Sequence, residues 1–225
     1  MAMHDGHRSR MKGEFLARPD SFPNHKLLEL LLFYANPRGD TNPTAHLLME
    51  RFGSLSGVLD ALPEELMKVP GVGEHAVALL KAVKETGGRY LTARTDTEET
   101  VNATADAYRI LRPYFFGART ERVYLLCMDG KGKSLGVRQI AEGSVNAAEV
   151  TTRGVVEAAL SLNATQVILG HNHVSGLAFP SPEDKATTRY LTGVLSSVGV
   201  TLADHMIFVD DDMVSLRDSG FQFQE

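Results

Sequence analysis

The sequence predicts a small all-α region followed by an α/β domain, a mixed sheet with flanking helices. Three observations carry that reading. Residues 24 to 90 show helical apolar periodicity with short loops, and residues from 122 onward alternate short strand-like runs with helical ones. Between them, Leu91 to Glu99 is polar and aperiodic, so the boundary falls there. The expected organisation is a helical domain over 1–94 and an α/β domain over 101–225.

The elements follow in order. Asn24 stands as a cap before a helix over His25 to Ala35, where Leu27, Leu28, Leu30, Leu31 and Leu32 supply a broad apolar face. Pro37, Gly39 and Asp40 end it. A second helix begins at Asn42, with Pro43 at its first position, and runs to Phe52, where Gly53 stops it. Ser54 to Leu59 and Pro63 to Lys68 read as two shorter helices, and Val69-Pro70-Gly71-Val72-Gly73 leads into a long one from Glu74 to Tyr90. Past the boundary a helix near Asn102 to Leu111 precedes a hairpin. Its strands are Arg122 to Met128 and Leu135 to Glu142, joined by Asp129-Gly130-Lys131-Gly132-Lys133. Thr152 to Leu162 is helical, Gln166 to Gly170 is a short apolar strand, and a helix from Ser181 reaches about Ser196. Val200 to Val209 and Met213 to Leu216 close the chain as a hairpin around Asp210-Asp211-Asp212, which makes five strands in all.

Bulk properties narrow the function classes. With 43% apolar and 23% charged residues among 225, the composition is that of a globular chain with a real core. No apolar run approaches the roughly 18 residues of a membrane span; Leu27 to Ala35 is interrupted by Glu29. Residues 1–12 mix charge and histidine and lack a signal peptide's apolar core, so the expected location is cytoplasmic. A lone Cys127 cannot staple the chain internally and fits that location. It lies among apolar residues and reads as inert core. The net charge of −5 is uneven, about +1 over residues 1–94 and about −6 over 95–225. The second half therefore has no general basic field for nucleic acid, and the first could offer only a local patch.

The chemistry concentrates in Gly170 to Asp184. His171 and His173 sit at i and i+2, and two such side chains point the same way only from extended backbone. Here they directly follow the strand Val167-Ile168-Leu169. A loop then reaches Ser181-Pro182-Glu183-Asp184, a strong helix start with Ser181 as N-cap, Pro182 at N1 and Asp184 at N3. Two imidazoles and one carboxylate leave a tetrahedral zinc with its fourth position open, the layout of a catalytic site. Blander readings stand beside this one, since a strand-end histidine pair also serves as a polar rim and Asp184 also fits as a cap.

The spacing of His171, His173, Ser181 and Asp184 matches H-x-H-x7-S-x2-D at every fixed position, and so resembles the JAMM (MPN-type) metallopeptidases. The stretch Glu142-Gly143-Ser144-Val145-Asn146, together with Gly170 to Gly176, resembles the bacterial RadC family in particular, over about residues 101–225 and more loosely ahead of them. The resemblance implies a JAMM/MPN-like fold and Zn2+ held by His171, His173 and Asp184. It further implies Ser181 as an oxyanion stabiliser and an upstream glutamate that activates water, which by position is Glu142. On the residues alone Glu142 reads equally as a solvated strand-end side chain. Two departures stand out. Val174 and Leu177 replace the proline and acid of H-x-H-P-S-G-D, and Ala147-Ala148-Glu149 stands where the family has P-R-E, keeping only the glutamate. His205, beside Asp204 on an expected strand, reads as a structural histidine or as a partner that orients a ligand.

Leu66 to Gly73 and the helix after it resemble a helix-hairpin-helix. Gly71 and Gly73 would let the backbone approach a DNA phosphate at a helix N-terminus, with Lys68, Lys81 and Lys84 assisting. Val77 stands where that motif has a small residue, Glu74 opposes an anion, and a packing hairpin is the other reading. Two functions are thus expected to compete. One is a zinc-dependent metallopeptidase or isopeptidase with a peptide or protein substrate. The other is a DNA-associated repair or processing factor whose metal site acts on or near nucleic acid.

Overall fold

In the computed structural model, residues 5–93, 99–143, 152–174 and 178–223 are described. The chain divides into two units, 1–87 and 88–225. The first is helical: α1 (Asp5–Ala17), α2 (Asn24–Ala35), α3 (Asn42–Phe52), α4 (Leu55–Asp60), α5 (Pro63–Met67) and most of α6 (Glu74–Ala93). Leu28 and Leu32 of α2, Leu48 of α3, Val58 of α4, Leu66 of α5 and Leu80 of α6 are fully buried together in its core. Helix α1 was not expected from the sequence, because its apolar signal is thin. Met11 and Phe15 nevertheless pack with Phe22, Leu30 and Phe33. Arg8 donates to the carbonyls of Asn36, Pro37 and Gly39, and His7 Nε2 lies 3.0 Å from the buried Glu29 carboxylate.

Helix α6 also runs further than expected, through Ala93, so the first residues of the supposed linker are helical. Residues 94–98 of that stretch lie outside the described residues. Gly71 adopts φ +85°, and a Cβ there would lie 2.4 Å from Thr44 Oγ1, so left-handed backbone and a close neighbour both require glycine. A Cβ at Gly73 would meet no atom within 4 Å.

The second unit starts with α7 (Thr104–Leu111) and a 3-10 turn, then β1 (Glu121–Met128), β2 (Ser134–Gly143), α8 (Thr152–Ser161), β3 (Gln166–Asn172), α9 (Pro182–Ser197), β4 (Thr201–Val209) and β5 (Asp212–Ser215). The expected mixed five-stranded sheet is present, in the order β2-β1-β3-β4-β5. Only β3 and β4 are parallel, joined through α9; every other pair is antiparallel. Alternation sorts the side chains onto two faces. Val123, Leu125, Cys127, Val167 and Leu169 pack under Val155 and Ala159 of α8 and Leu191 and Leu195 of α9. Tyr124, Leu126, Ile168, Met206 and Phe208 pack on the other face against Ala107, Ile110 and Leu111 of α7. Gly170 matters here, because a Cβ would press on Leu111, Phe115 and Phe208 at 3.2–3.4 Å. Among the described residues, no helix is long and apolar enough to cross a membrane.

The two hairpin glycines should separate by substitution. Gly71→Ala is expected to cost about 1–3 kcal/mol from left-handed strain alone. Gly73→Ala should stay within about 0.5 kcal/mol of the parent. Urea unfolding followed by circular dichroism measures both, and equal costs would mean that the backbone at Gly71 is not as described.

Candidate metal centre

Strand β3 extends two residues beyond the apolar run, to Asn172, which places His171 on an ordered edge between two strands. His171 pairs with Val123 of β1 and with Ile207 of parallel β4. Asn172 stitches this end shut: its Oδ1 accepts from Arg122 N at 2.7 Å and its Nδ2 donates to Thr120 O at 3.2 Å. One residue on, the His173 amide donates to Phe208 O at 2.9 Å, so the backbone remains held past the strand's end. The extended geometry inferred from the i, i+2 spacing is present, and the two Nε2 atoms lie 2.9 Å apart.

Ser181 and Asp184 form a full capping box at the start of α9. Ser181 Oγ accepts from the Asp184 amide at 3.0 Å and donates to Asp184 Oδ2 at 2.7 Å, while the Ser181 amide donates to the same oxygen at 2.8 Å. These bonds fix the carboxylate so that Oδ1 stands 3.2 Å from His171 Nε2 and Oδ2 stands 3.5 Å from His173 Nε2. The cap and the candidate ligand are one side chain in both roles. The Ser181 hydroxyl hydrogen is directed at Asp184, so in this structure the serine acts as the carboxylate's positioner rather than as a free oxyanion donor.

His171 and Asp184 are buried and His173 is half-buried. Burial pushes the Asp184 carboxyl up. The neighbouring His171 imidazole and then the two bonds from Ser181 outweigh it and hold the group below the usual carboxylate range. Behind His171, the buried His205 of β4 places Nε2 2.8 Å from His171 Nδ1, and its own Nδ1 lies 2.6 Å from Thr188 Oγ1 of α9. Burial first, and then the neighbouring His171, drive the His205 pKa well below the ordinary imidazole value. His205 therefore partners a candidate ligand, the less obvious of its two readings. Thr188 was not singled out in the sequence. Its signal was its place one helical turn after Asp184.

A metal ion of tetrahedral preference fits the donor set. Ligand atoms about 2.0–2.2 Å from a zinc lie roughly 3.3–3.6 Å from one another. His171 Nε2 lies 2.9 Å from His173 Nε2 and 3.2 Å from Asp184 Oδ1, a little inside that edge, and one donor atom from each of the three residues lies within 4.8 Å of the others. Among the described residues, His171, His173 and Asp184 form the group that could hold an ion with one donor atom each. Two imidazoles and a carboxylate suit zinc and leave a coordination position for water or substrate.

Glu142 is not brought into this group. It pairs with Arg122, in the row adjacent to the one that joins Ala141, Val123 and His171. Side chains in adjacent rows point to opposite faces of a sheet. Glu142 Oε1 accepts from Arg122 Nε at 2.9 Å and from Thr120 Oγ1 at 3.4 Å, and Oε2 accepts from Gln139 at 2.8 Å. The Gln139 bond and then Arg122 hold its pKa below the usual range, the wrong direction for a base working near neutrality. Sequence position alone could not reveal this, because a one-residue step along a strand reverses the face. Cys127 is buried, and burial pushes its thiol up to about 11, which fits inert core. In the hairpin, Lys68 pairs with Glu65, Lys84 pairs with Asp60 at 2.8 Å, and Lys81 donates to the carbonyls of Leu59 and Ala61. All three lysines proposed to face DNA thus have partners within the protein. Residues 144–151 and 175–177, which carry parts of the family-like stretches, lie outside the described residues.

Comparison with known proteins places these features. A family model described as RadC-like JAB domain matches residues 101–221. A UPF0758 protein of Ruegeria pomeroyi is 32% identical over 216 residues, covering 96% of this chain and 96% of the relative. UPF0758 proteins of Burkholderia thailandensis and Burkholderia mallei are each 33% identical over 216 residues, covering 95% of this chain and 82% and 77% of the relatives.

The geometry makes a binding prediction independent of any reaction. The purified chain should take up one zinc per molecule, and His171→Ala, His173→Ala and Asp184→Asn should each lose stoichiometric zinc while keeping the parent's circular dichroism. Elemental analysis after gel filtration reads the ratio. Full zinc in all three variants would place the metal elsewhere.

Proposed function

This chain belongs to the RadC family, and on that premise we propose that it is a zinc-dependent hydrolase cleaving a peptide or isopeptide bond. The observation that carries the reading is the convergence of His171, His173 and Asp184, one donor atom of each lying within 4.8 Å of the others. When bound there, zinc supplies Lewis-acid chemistry, lowering the pKa of a water to about 7 and polarising a carbonyl. The rest of the work belongs to the chain's own side chains. Ser181 fixes the Asp184 carboxylate through its hydroxyl and amide. The strand register fixes the two imidazoles. Val174, directly after His173, and Phe179, two residues before Ser181, are exposed apolar side chains and suit the flank of an extended peptide.

Hydrolysis also needs a carboxylate to take the attacking water's proton. The topology favours a residue other than Glu142. Strand β2 ends at Gly143, two residues beyond Ala141, which shares the row of His171, and α8 is the next helix in the chain. That helix packs through Val155 and Ala159 on the face that carries Val123 and Leu169, the parity of His171. The span between Gly143 and Thr152 holds a single acidic residue, Glu149, three positions before α8. We assign the base role to Glu149 and leave Glu142 with Arg122.

Turnover of a peptide and isopeptide library by the zinc-loaded chain tests both parts. The parent should lose activity with a chelator and regain it with zinc. Glu149→Gln should keep zinc but lose on the order of 10²-fold in rate, while Glu142→Gln stays within a few-fold. A chelator-insensitive activity would remove zinc from the mechanism. The opposite ranking of the two glutamine variants would return the base to Glu142.

A further inference from the structure

Behind the candidate ligands runs a buried line of polar groups that the reaction does not itself require. It starts at the backbone of Asp184. Thr188, one turn later on α9, donates its hydroxyl hydrogen to Asp184 O at 2.6 Å. The same oxygen lies 2.6 Å from His205 Nδ1, and His205 Nε2 lies 2.8 Å from His171 Nδ1. Thr188 is 0% exposed, His205 2% and His171 8%, so the interior contacts of this line have no solvent to turn to. An unmade hydrogen bond in such a place leaves a desolvated polar group without a partner, which is costly.

We propose that Thr188 and His205 are positioning residues that set the tautomer of His171, holding its proton on Nδ1 so that Nε2 keeps its lone pair for a metal. The available hydrogens fix the direction of the line. The line has three contacts: Asp184 O to Thr188 Oγ1, Thr188 Oγ1 to His205 Nδ1, and His205 Nε2 to His171 Nδ1. A backbone carbonyl carries no hydrogen, so the first contact must use the only one that threonine has. The threonine oxygen is then an acceptor towards His205, and the second contact needs a proton on His205 Nδ1. A neutral His205 protonated there has a bare Nε2, so the third contact needs the proton of His171 Nδ1. His171 Nε2 is left unprotonated, facing His173 Nε2 at 2.9 Å and Asp184 Oδ1 at 3.2 Å.

The reverse order fails at its first link. A hydroxyl turned towards His205 sets two bare oxygens 2.6 Å apart, and it also puts a hydrogen on the nitrogen meant for the metal. The direction of the whole line is therefore decided by a helix carbonyl. That carbonyl belongs to Asp184, so one residue supplies a ligand by its side chain and orients another ligand by its backbone. Partners behind a ligating imidazole commonly change metal affinity 10–100-fold when removed.

This inference deepens the zinc reading and rests on it for its purpose, but the tautomers themselves can be read without metal. Long-range proton–nitrogen NMR of the metal-free chain, with imidazoles assigned by single histidine variants, should show His171 and His205 both protonated on Nδ1. Thr188→Val keeps the shape and removes the hydroxyl. It should mix the His171 tautomers and weaken zinc binding 10–100-fold, and Thr188→Ser should restore both. An Nε2-protonated His171 in the parent, or unchanged tautomers and zinc affinity in Thr188→Val, would overturn the proposal. If Thr188→Val does not fold, the tautomers of the parent and of Thr188→Ser still decide it. A parent with the expected tautomers that binds no zinc would sink the zinc reading while leaving the relay in place.

Discussion

The Asp184 carboxylate is the constraint on which the rest of the site depends. It is buried, and a buried carboxylate is costly unless it is hydrogen-bonded and paired. Ser181 gives one oxygen two hydrogen bonds, and His171 stands at the other. The capping box starts helix α9, whose Leu191 and Leu195 then pack onto the sheet. Satisfying this one group therefore starts a helix, seats it, and aims a ligand. Two imidazoles and a carboxylate with donor atoms within 4.8 Å of one another concentrate lone pairs in a part-buried space, and a divalent ion held there would relieve that concentration.

The sheet supplies the second half of the arrangement. His171 sits between β1 and β4, in the interior of the strand order, where hydrogen bonding on both sides limits its movement. Gly170, immediately before it, lets Leu111, Phe115 and Phe208 press close from the opposite face. That apolar packing supports the strand from behind, and the Thr188–His205 line meets the imidazole itself at Nδ1. A site built on a strand end and a helix start gains precision from two rigid elements, which a pair of loops could not provide.

Much of this was legible in the sequence. Strand positions followed from alternation and turn residues, and the H-x-H spacing with a capped helix start located all three candidate ligands. What escaped had physical reasons. Helix α1 is held by contacts distant in sequence, such as His7 to Glu29, and carries little periodic apolar signal of its own. Glu142 ends a strand in the right place along the chain, but the register pairs it with Arg122 and turns it from the His171 row, which only strand pairing reveals. His205 and Thr188 come from separate elements, β4 and α9, that meet only through the parallel pairing of β3 with β4. The hairpin glycines also split in role. Gly71 answers to Thr44, and only Gly73 has open space beside it.

Whether His171, His173 and Asp184 together hold one metal ion is open to diffraction at the zinc absorption edge. Crystals of the chain grown with zinc should give one strong anomalous peak about 2.0–2.2 Å from His171 Nε2, His173 Nε2 and an Asp184 oxygen. A peak bound by other side chains, with these three left uncoordinated, would contradict the account.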